Sequence, residues 1–203
     1  MMKRSFTFFT PLLFALLLLG LSNSLFAQGY SGGAGTAGNP YQIATLDDLR
    51  YLSEHSADWV SGKYYIQTAY IDATATSGWN GSAGFSPIGN SGSHYFSANY
   101  NGQNHIISNL TINRPLETGI GLFGYLWGPI SNLRLVNATI HGFYYVGAMV
   151  GYSNATVSNC HSSGSVASMY YGAGGLVGTM HGSVMNCSSS CNISNSYDFG
   201  TGG

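Results

Sequence analysis

Catalysis in this chain would have to come from very few side chains. Among 203 residues there are 7 Asp+Glu, 6 Lys+Arg, 6 His and 3 Cys. Hydrolysis of a polysaccharide wants two carboxylates flanking one bond, and β-elimination wants a base beside a cation or metal that takes up the developing charge. From Gly119 to Gly203 the only charged residues are Arg134 and Asp198, so no carboxylate pair can be drawn there. Asp72 and Glu117 lie earlier, and an Asp that follows a short apolar strand reads as a turn residue before it reads as a base. Zinc peptidase chemistry lacks its parts, because the Glu residues are Glu54 and Glu117 and neither sits in a His-Glu-x-x-His helix. His141, His161 and His181 recur at even spacing but out of step with the repeat described below, which predicts scattered surface or turn histidines. Cys160, Cys187 and Cys191 form no Cys-x-x-Cys, and Cys187-x-x-x-Cys191 has no in-phase His partners. No catalytic residue, no metal ligand and no cofactor is expected in this chain.

The element that must position whatever chemistry there is turns out to be a repeat. Leu122-Phe123-Gly124 becomes Met149-Val150-Gly151 and then Leu176-Val177-Gly178, each offset by about 27 residues. Ile130-x-Asn132-Leu133 becomes Val157-x-Asn159-Cys160 and Val184-x-Asn186-Cys187 in the same phase. A fixed period of that size describes a solenoid, in which each turn buries its apolar face against its neighbours. Short strands without helical periodicity fit one coil of a right-handed parallel β-helix, whereas a leucine-rich repeat or a propeller blade would show other spacings. Small residues at Gly121, Ala148 and Gly175 mark where one coil passes close over the next. Asn132, Asn159 and Asn186 should stack as an amide ladder, with Leu122, Met149 and Leu176 turned inward beside them. Cys160 and Cys187 would then lie one above the other, either as a buried thiol column continuing from Leu133 or as a bridge within disulfide reach.

Aromatic side chains also fall in phase. Phe143, Tyr170 and Tyr197 share one position, and Tyr144 and Tyr171 the next. Neighbours along a strand face opposite ways, so an exposed column at Tyr144 and Tyr171 could stack on a host glycan or a surface protein; alternatively the stacked rings only fill a corner of the solenoid.

Before the repeats, Pro40-Tyr41-Gln42-Ile43 reads as a strand. Leu46 to His55 reads as a helix with Thr45 as N-cap and Asp47 and Asp48 in its first turn. This helix suits a cap over the first coil, where an open end would expose core and strand edges. The expected organisation is a signal peptide at 1–27, a Gly-rich linker at 28–39, the cap helix and irregular first coils at 40–118, and repeats at 119–203. The signal reading rests on Lys3 and Arg4, the apolar run from Leu12 to Leu19 and the small Ala27 before Gln28. That run is too short to favour a transmembrane helix. Loss of Lys3 and Arg4 leaves about 4 basic against 7 acidic side chains, which argues against nucleic acid as a partner. Tyr197 to Gly203 repeats the lead-in at Tyr170 to Gly175, so a fourth coil is expected to open there; without its successor the third coil would associate end to end.

Gly121-Leu122-Phe123-Gly124 and Gly175-Leu176-Val177-Gly178 resemble the GLUG motif of exported bacterial surface proteins and of non-catalytic regions of some immunoglobulin A metallopeptidases. Gly35-Thr36, Pro40-Tyr41-Gln42-Ile43, Asp47-Asp48-Leu49, Ile71-Asp72, Pro87-Ile88-Gly89, and Gly102 with His105 to Leu110 resemble the segment that usually precedes those repeats. The resemblance implies a secreted or cell-surface β-solenoid with an adhesive or scaffolding role. A second reading is the binding or stalk region of a larger surface hydrolase whose active site lies beyond residue 203; a third is a carbohydrate-active β-helix enzyme.

Overall fold

In a computed structural model, residues 29–170 and 172–196 are described. The expectations for the signal segment, Tyr171, Tyr197 and Asp198 lie outside those residues. The fold is all-β and parallel, built as three sheets. One runs Tyr41–Ile43, Tyr64–Gln67, Asn99–Asn101, Ile130–Ser131, Thr156–Ser158, Ser183–Met185. A second orders Phe123–Leu126, Val150–Ser153 and Val177–Met180. The third orders Ile71–Asp72, Ile106–Ser108, Arg134–Gly147, His161–Ser168 and Ser188–Asn195, with Thr111–Ile120 and Ala173–Gly174 also pairing to Arg134–Gly147.

The register follows the repeat. Val150 pairs with both Phe123 and Val177, and Val157 with both Ile130 and Val184. A parallel ladder cannot be closed by a tight turn, so each strand must be followed by a long connection before its neighbour arrives, and here the connection passes through the other sheets. Earlier pairings, Tyr41 with Tyr65, Tyr65 with Tyr100 and Tyr100 with Ile130, occur at unequal intervals. One irregularity interrupts the later coils. Asn137 takes a φ of 55°, and the pairing slips between Ser162 and Gly164, which is how a strand absorbs one extra residue.

The interior is filled by columns. Ile130 and Val157 are fully buried, as are Leu122 and Met149, while Phe96, Phe123 and Tyr100 pack with ring centroids 5.2 and 5.5 Å apart. Val184 is 46% exposed in the last described coil, because nothing among the described residues stacks beyond it. The motif glycines have a steric reason. A Cβ on Gly124 would lie 2.4 Å from the Gly89 oxygen, one on Gly151 2.5 Å from the Gly119 carbon, and one on Gly178 2.6 Å from the Val146 nitrogen. In each case the obstacle is backbone, which cannot swing away.

At the N-terminal end a helix spans Leu46–Glu54, with Leu49 and Leu52 buried. Its start is a capping box: Thr45 Oγ1 accepts from the Asp48 amide at 3.1 Å, while Asp48 Oδ2 accepts from the Thr45 amide at 2.8 Å. Asp48 also accepts from the Ala44 amide and the Ser31 hydroxyl. The stretch expected as a linker is bonded into this end: the Ser31 amide donates to the Gln42 carbonyl at 3.1 Å, the Gln42 amide donates to the Gly32 carbonyl at 2.8 Å, and the Gly35 carbonyl accepts from the Tyr64 amide.

Candidate functional site: stacked side-chain ladders

The coils bring like residues into register, so the candidate site is a set of ladders on the outside of the sheets. Asn159 Nδ2 donates to Asn132 Oδ1 at 3.2 Å, and Asn132 Nδ2 donates to Asn101 Oδ1 at 3.0 Å. Asn132, Asn159 and Asn186 all adopt positive φ between 52° and 53°. Asn tolerates this left-handed conformation better than other residues with a Cβ, so the ladder fixes both the turn and its amide bonds. A second ladder joins residues outside the repeat's motif positions. Asn137 Nδ2 donates to Asn109 Oδ1 at 2.7 Å, and Asn109 Nδ2 donates to Asp72 Oδ1 at 3.0 Å. Asp72 also accepts from the amide and hydroxyl of Thr74, and these hydrogen bonds hold its carboxyl below the usual range. A carboxylate held ionised by three donors is a poor proton acceptor, so Asp72 sits at a turn as the foot of a ladder. Glu117 is bonded to the Arg114 guanidinium at 2.9 Å.

The histidines go to separate places. His141 meets the Asn113 side chain at 3.1 Å, His161 meets the Ser188 hydroxyl at 2.9 Å, and His181 lies 5.1 Å from the Tyr152 ring. Among the described residues no group of three His, Cys, Asp or Glu side chains is disposed to hold a metal ion. The cysteines are free thiols. Cys160 and Cys187 occupy successive coils, with the Cys160 amide 3.3 Å from Cys187 Sγ, and each thiol is directed at a carbonyl, of Ser158 and Met185 respectively. Burial pushes the Cys160 thiol up to about 12, which leaves it un-ionised and a weak nucleophile at neutral pH.

Aromatic rings form a further set of stacks. Phe143 and Tyr170 stack at 5.8 Å with 17° between planes, as their shared phase requires. Tyr144 is half-buried, 3.9 Å from the Tyr145 ring and 6.1 Å from Tyr170. A longer column runs beside them: Tyr95 on Trp127 at 4.5 Å, Trp127 on Tyr152 at 5.6 Å, and Tyr152 against His181. Tyr125 and Tyr152 pair in register, so their phase could have been read from the sequence. Tyr95 and Trp127 are out of phase and reach the column only through loops.

No family model matches the chain. It is 42% identical over 128 residues to halomucin of Haloquadratum walsbyi, an alignment covering 61% of this chain and 1% of that protein. It is 35% identical over 138 residues to a putative Gly-rich membrane protein of Evansella cellulosilytica, covering 60% of this chain and 14% of the relative. The chain therefore spans only a small part of either relative's length. Among solved structures, a putative immunoglobulin A1 protease from Bacteroides ovatus superimposes with a TM-score of 0.57 at 16% identity, over 82% of this chain and 70% of that one. That likeness is one of fold. No helix among the described residues is long and apolar enough to cross a membrane.

Proposed function

We propose that this chain is part of an exported surface protein, wound as a right-handed parallel β-helix of GLUG type with coils of about 27 residues, and that it acts as a non-catalytic scaffold or adhesive stalk. The observation that carries this reading is the chemistry of the ladders. Successive coils stack amides, aromatic rings and thiols, and the two carboxylates that might have served a reaction, Asp72 and Glu117, are both occupied by structural partners. Side chains so committed suit the length and rigidity of a solenoid better than they suit proton transfer. The similarity to short stretches of much longer proteins supports a role as a module within a larger architecture, and the relative named as a membrane protein supports a place at the cell envelope.

The fold shared with a putative immunoglobulin A1 protease supports the second reading, a binding or stalk region attached to a hydrolase. In both readings the aromatic rings stacked from strand to strand, the half-buried Tyr144 among them, are the surface offered to a glycan or host protein. The test is turnover: the purified chain, incubated with a panel of polysaccharides and with immunoglobulin A1, should release no new reducing ends and no peptide fragments. Reproducible cleavage that disappears in Asp72→Asn or Glu117→Gln would overturn the non-catalytic reading.

A further inference from the structure

The four-ring column ends at a cavity. Tyr95 has one face on Trp127, is still 39% exposed, and lines a half-open depression of about 260 Å³ between the 56–61 turn and the 91–97 loop. The two segments are tied together from beneath: the Ser97 amide donates to the Trp59 carbonyl at 2.7 Å, and the Trp59 indole donates to the Leu52 carbonyl at 2.7 Å. The loop is braced internally as well. His94 Nδ1 lies 3.2 Å from Ser91 Oγ and 3.1 Å from Ser93 Oγ, and the His94 amide donates to Ser91. The depression is thus walled by an aromatic ring that its neighbours hold in place, by the half-exposed Val60, and by the polar groups of Ser61, Ser93, His94 and Ser97.

This lining selects among ligand classes. None of the residues lining the depression is Asp, Glu, Lys or Arg, so His94 alone could supply a charge, which favours a neutral ligand over a phosphate, a sulfate or a charged peptide. Its hydroxyls and imidazole would lose their water without compensation against a purely aliphatic ligand. At about 260 Å³ it falls below the roughly 300–1,000 Å³ of a drug-sized site, so it fits one ring-sized unit. A pyranose has an apolar C–H face and a rim of neutral hydroxyls, the complement of an aromatic wall flanked by Ser and His. We propose that the depression beside Tyr95 is a binding subsite for a single uncharged sugar residue, the terminal or branch unit of a neutral glycan, with Tyr95 stacking on its C–H face and Ser61, Ser97 and His94 bonding its hydroxyls. The proposal gives the adhesive reading above its ligand class and its place on the molecule.

The experiment is saturation-transfer NMR on the purified chain with four probes, the methyl glycosides of galactose, glucose, mannose and fucose, and with N-acetylneuraminic acid as the anionic comparison. At least one neutral glycoside should receive saturation, strongest on the protons of one ring face, with affinity on the order of millimolar as befits a single-sugar contact. Tyr95→Ala should weaken that binding about tenfold or more, Tyr95→Phe should keep it within about threefold, and Ser97→Ala and Ser61→Ala should each weaken it several-fold, in line with a lost ring contact and lost single hydrogen bonds. Leu116→Ala, at a position 87% exposed on a different strand, should leave it unchanged. Far-UV circular dichroism establishes that each variant is folded, and if Tyr95→Ala is not, the two serine variants decide. No transfer to any neutral glycoside, equal transfer to N-acetylneuraminic acid, or binding indifferent to Tyr95 and both serines would each overturn the proposal. Those outcomes leave the turnover assay untouched, so failure of the sugar site is distinguishable from failure of the non-catalytic reading.

Discussion

Asn132 carries two loads at once. Its side chain donates to Asn101 and accepts from Asn159, and its backbone sits at a φ of 53°. Asn132→Ala should therefore cost about 2–3 kcal/mol, part from the two amide bonds and part from an alanine forced into the left-handed region. Asn132→Gly removes the same bonds but not the backbone freedom, and should cost roughly 1 kcal/mol less. Urea unfolding of the pair separates the terms, and equal losses would mean that φ contributes nothing. The motif glycine makes a sharper case. Gly151→Ala places a Cβ 2.5 Å from backbone atoms of Gly119 and Ile120, while Gly92 has nothing within 4 Å of the same added atom. Gly151→Ala is expected to destabilise at or above the roughly 1–3 kcal/mol of ordinary overpacking, and Gly92→Ala to stay within about 0.5 kcal/mol.

Two elements give contrasting predictions. The helix Leu46–Glu54 depends on Asp48, which is 5% exposed and accepts from Ser31, Ala44 and Thr45. Thr45→Ala loses one cap bond and should cost about 1 kcal/mol. Asp48→Ala strands three donors beside the first strand and should cost about 3 kcal/mol, read from denaturation midpoints. The thiol column responds to pH. The folded Cys160 thiol is raised to about 12 by burial, above its value in the unfolded chain, so the folded state holds its proton more tightly. The stability this gives is complete below the unfolded pKa of about 8.5 and is lost as pH rises toward the folded value. Between about pH 8 and 10.5 the urea midpoint should fall further for the native chain than for Cys160→Val, which has no proton to lose; parallel slopes would exclude a contribution from this thiol.

Among the described residues the two ends of the fold differ. One end is closed by the helix, while the last described coil leaves Val184, Met185 and Ile193 about half exposed, at positions whose counterparts one coil earlier include the fully buried Val157 and the 1% exposed Val166. Apolar side chains beside open strand edges favour pairing with another edge. The 203-residue chain should accordingly show a sedimentation coefficient that rises with concentration over roughly the micromolar to millimolar range, and Ile193→Lys should suppress the rise. A stable monomer throughout would show that this face is covered within the chain.

The amino-acid sequence by itself determined the repeating half. Where parallel strands recur at a fixed period each residue meets the residue one period away, so the pairing of Val150 with Phe123 and Val177, the amide ladder through Asn132 and Asn159, and the stack of Phe143 on Tyr170 are written as phase along the chain. The helix was legible for a similar reason, since Thr45, Leu49 and Leu52 act within one or two turns, although Asp48 completing the cap was not read. Tertiary structure alone decided what lies out of phase. Asp72 meets Asn109 and Tyr95 meets Trp127 across coils of unequal length, and residues 29–39 are bonded to the first strands where composition suggested a linker. Such contacts join loop positions with no common period. Only the packed coils, by setting how far each loop must travel, bring those side chains together.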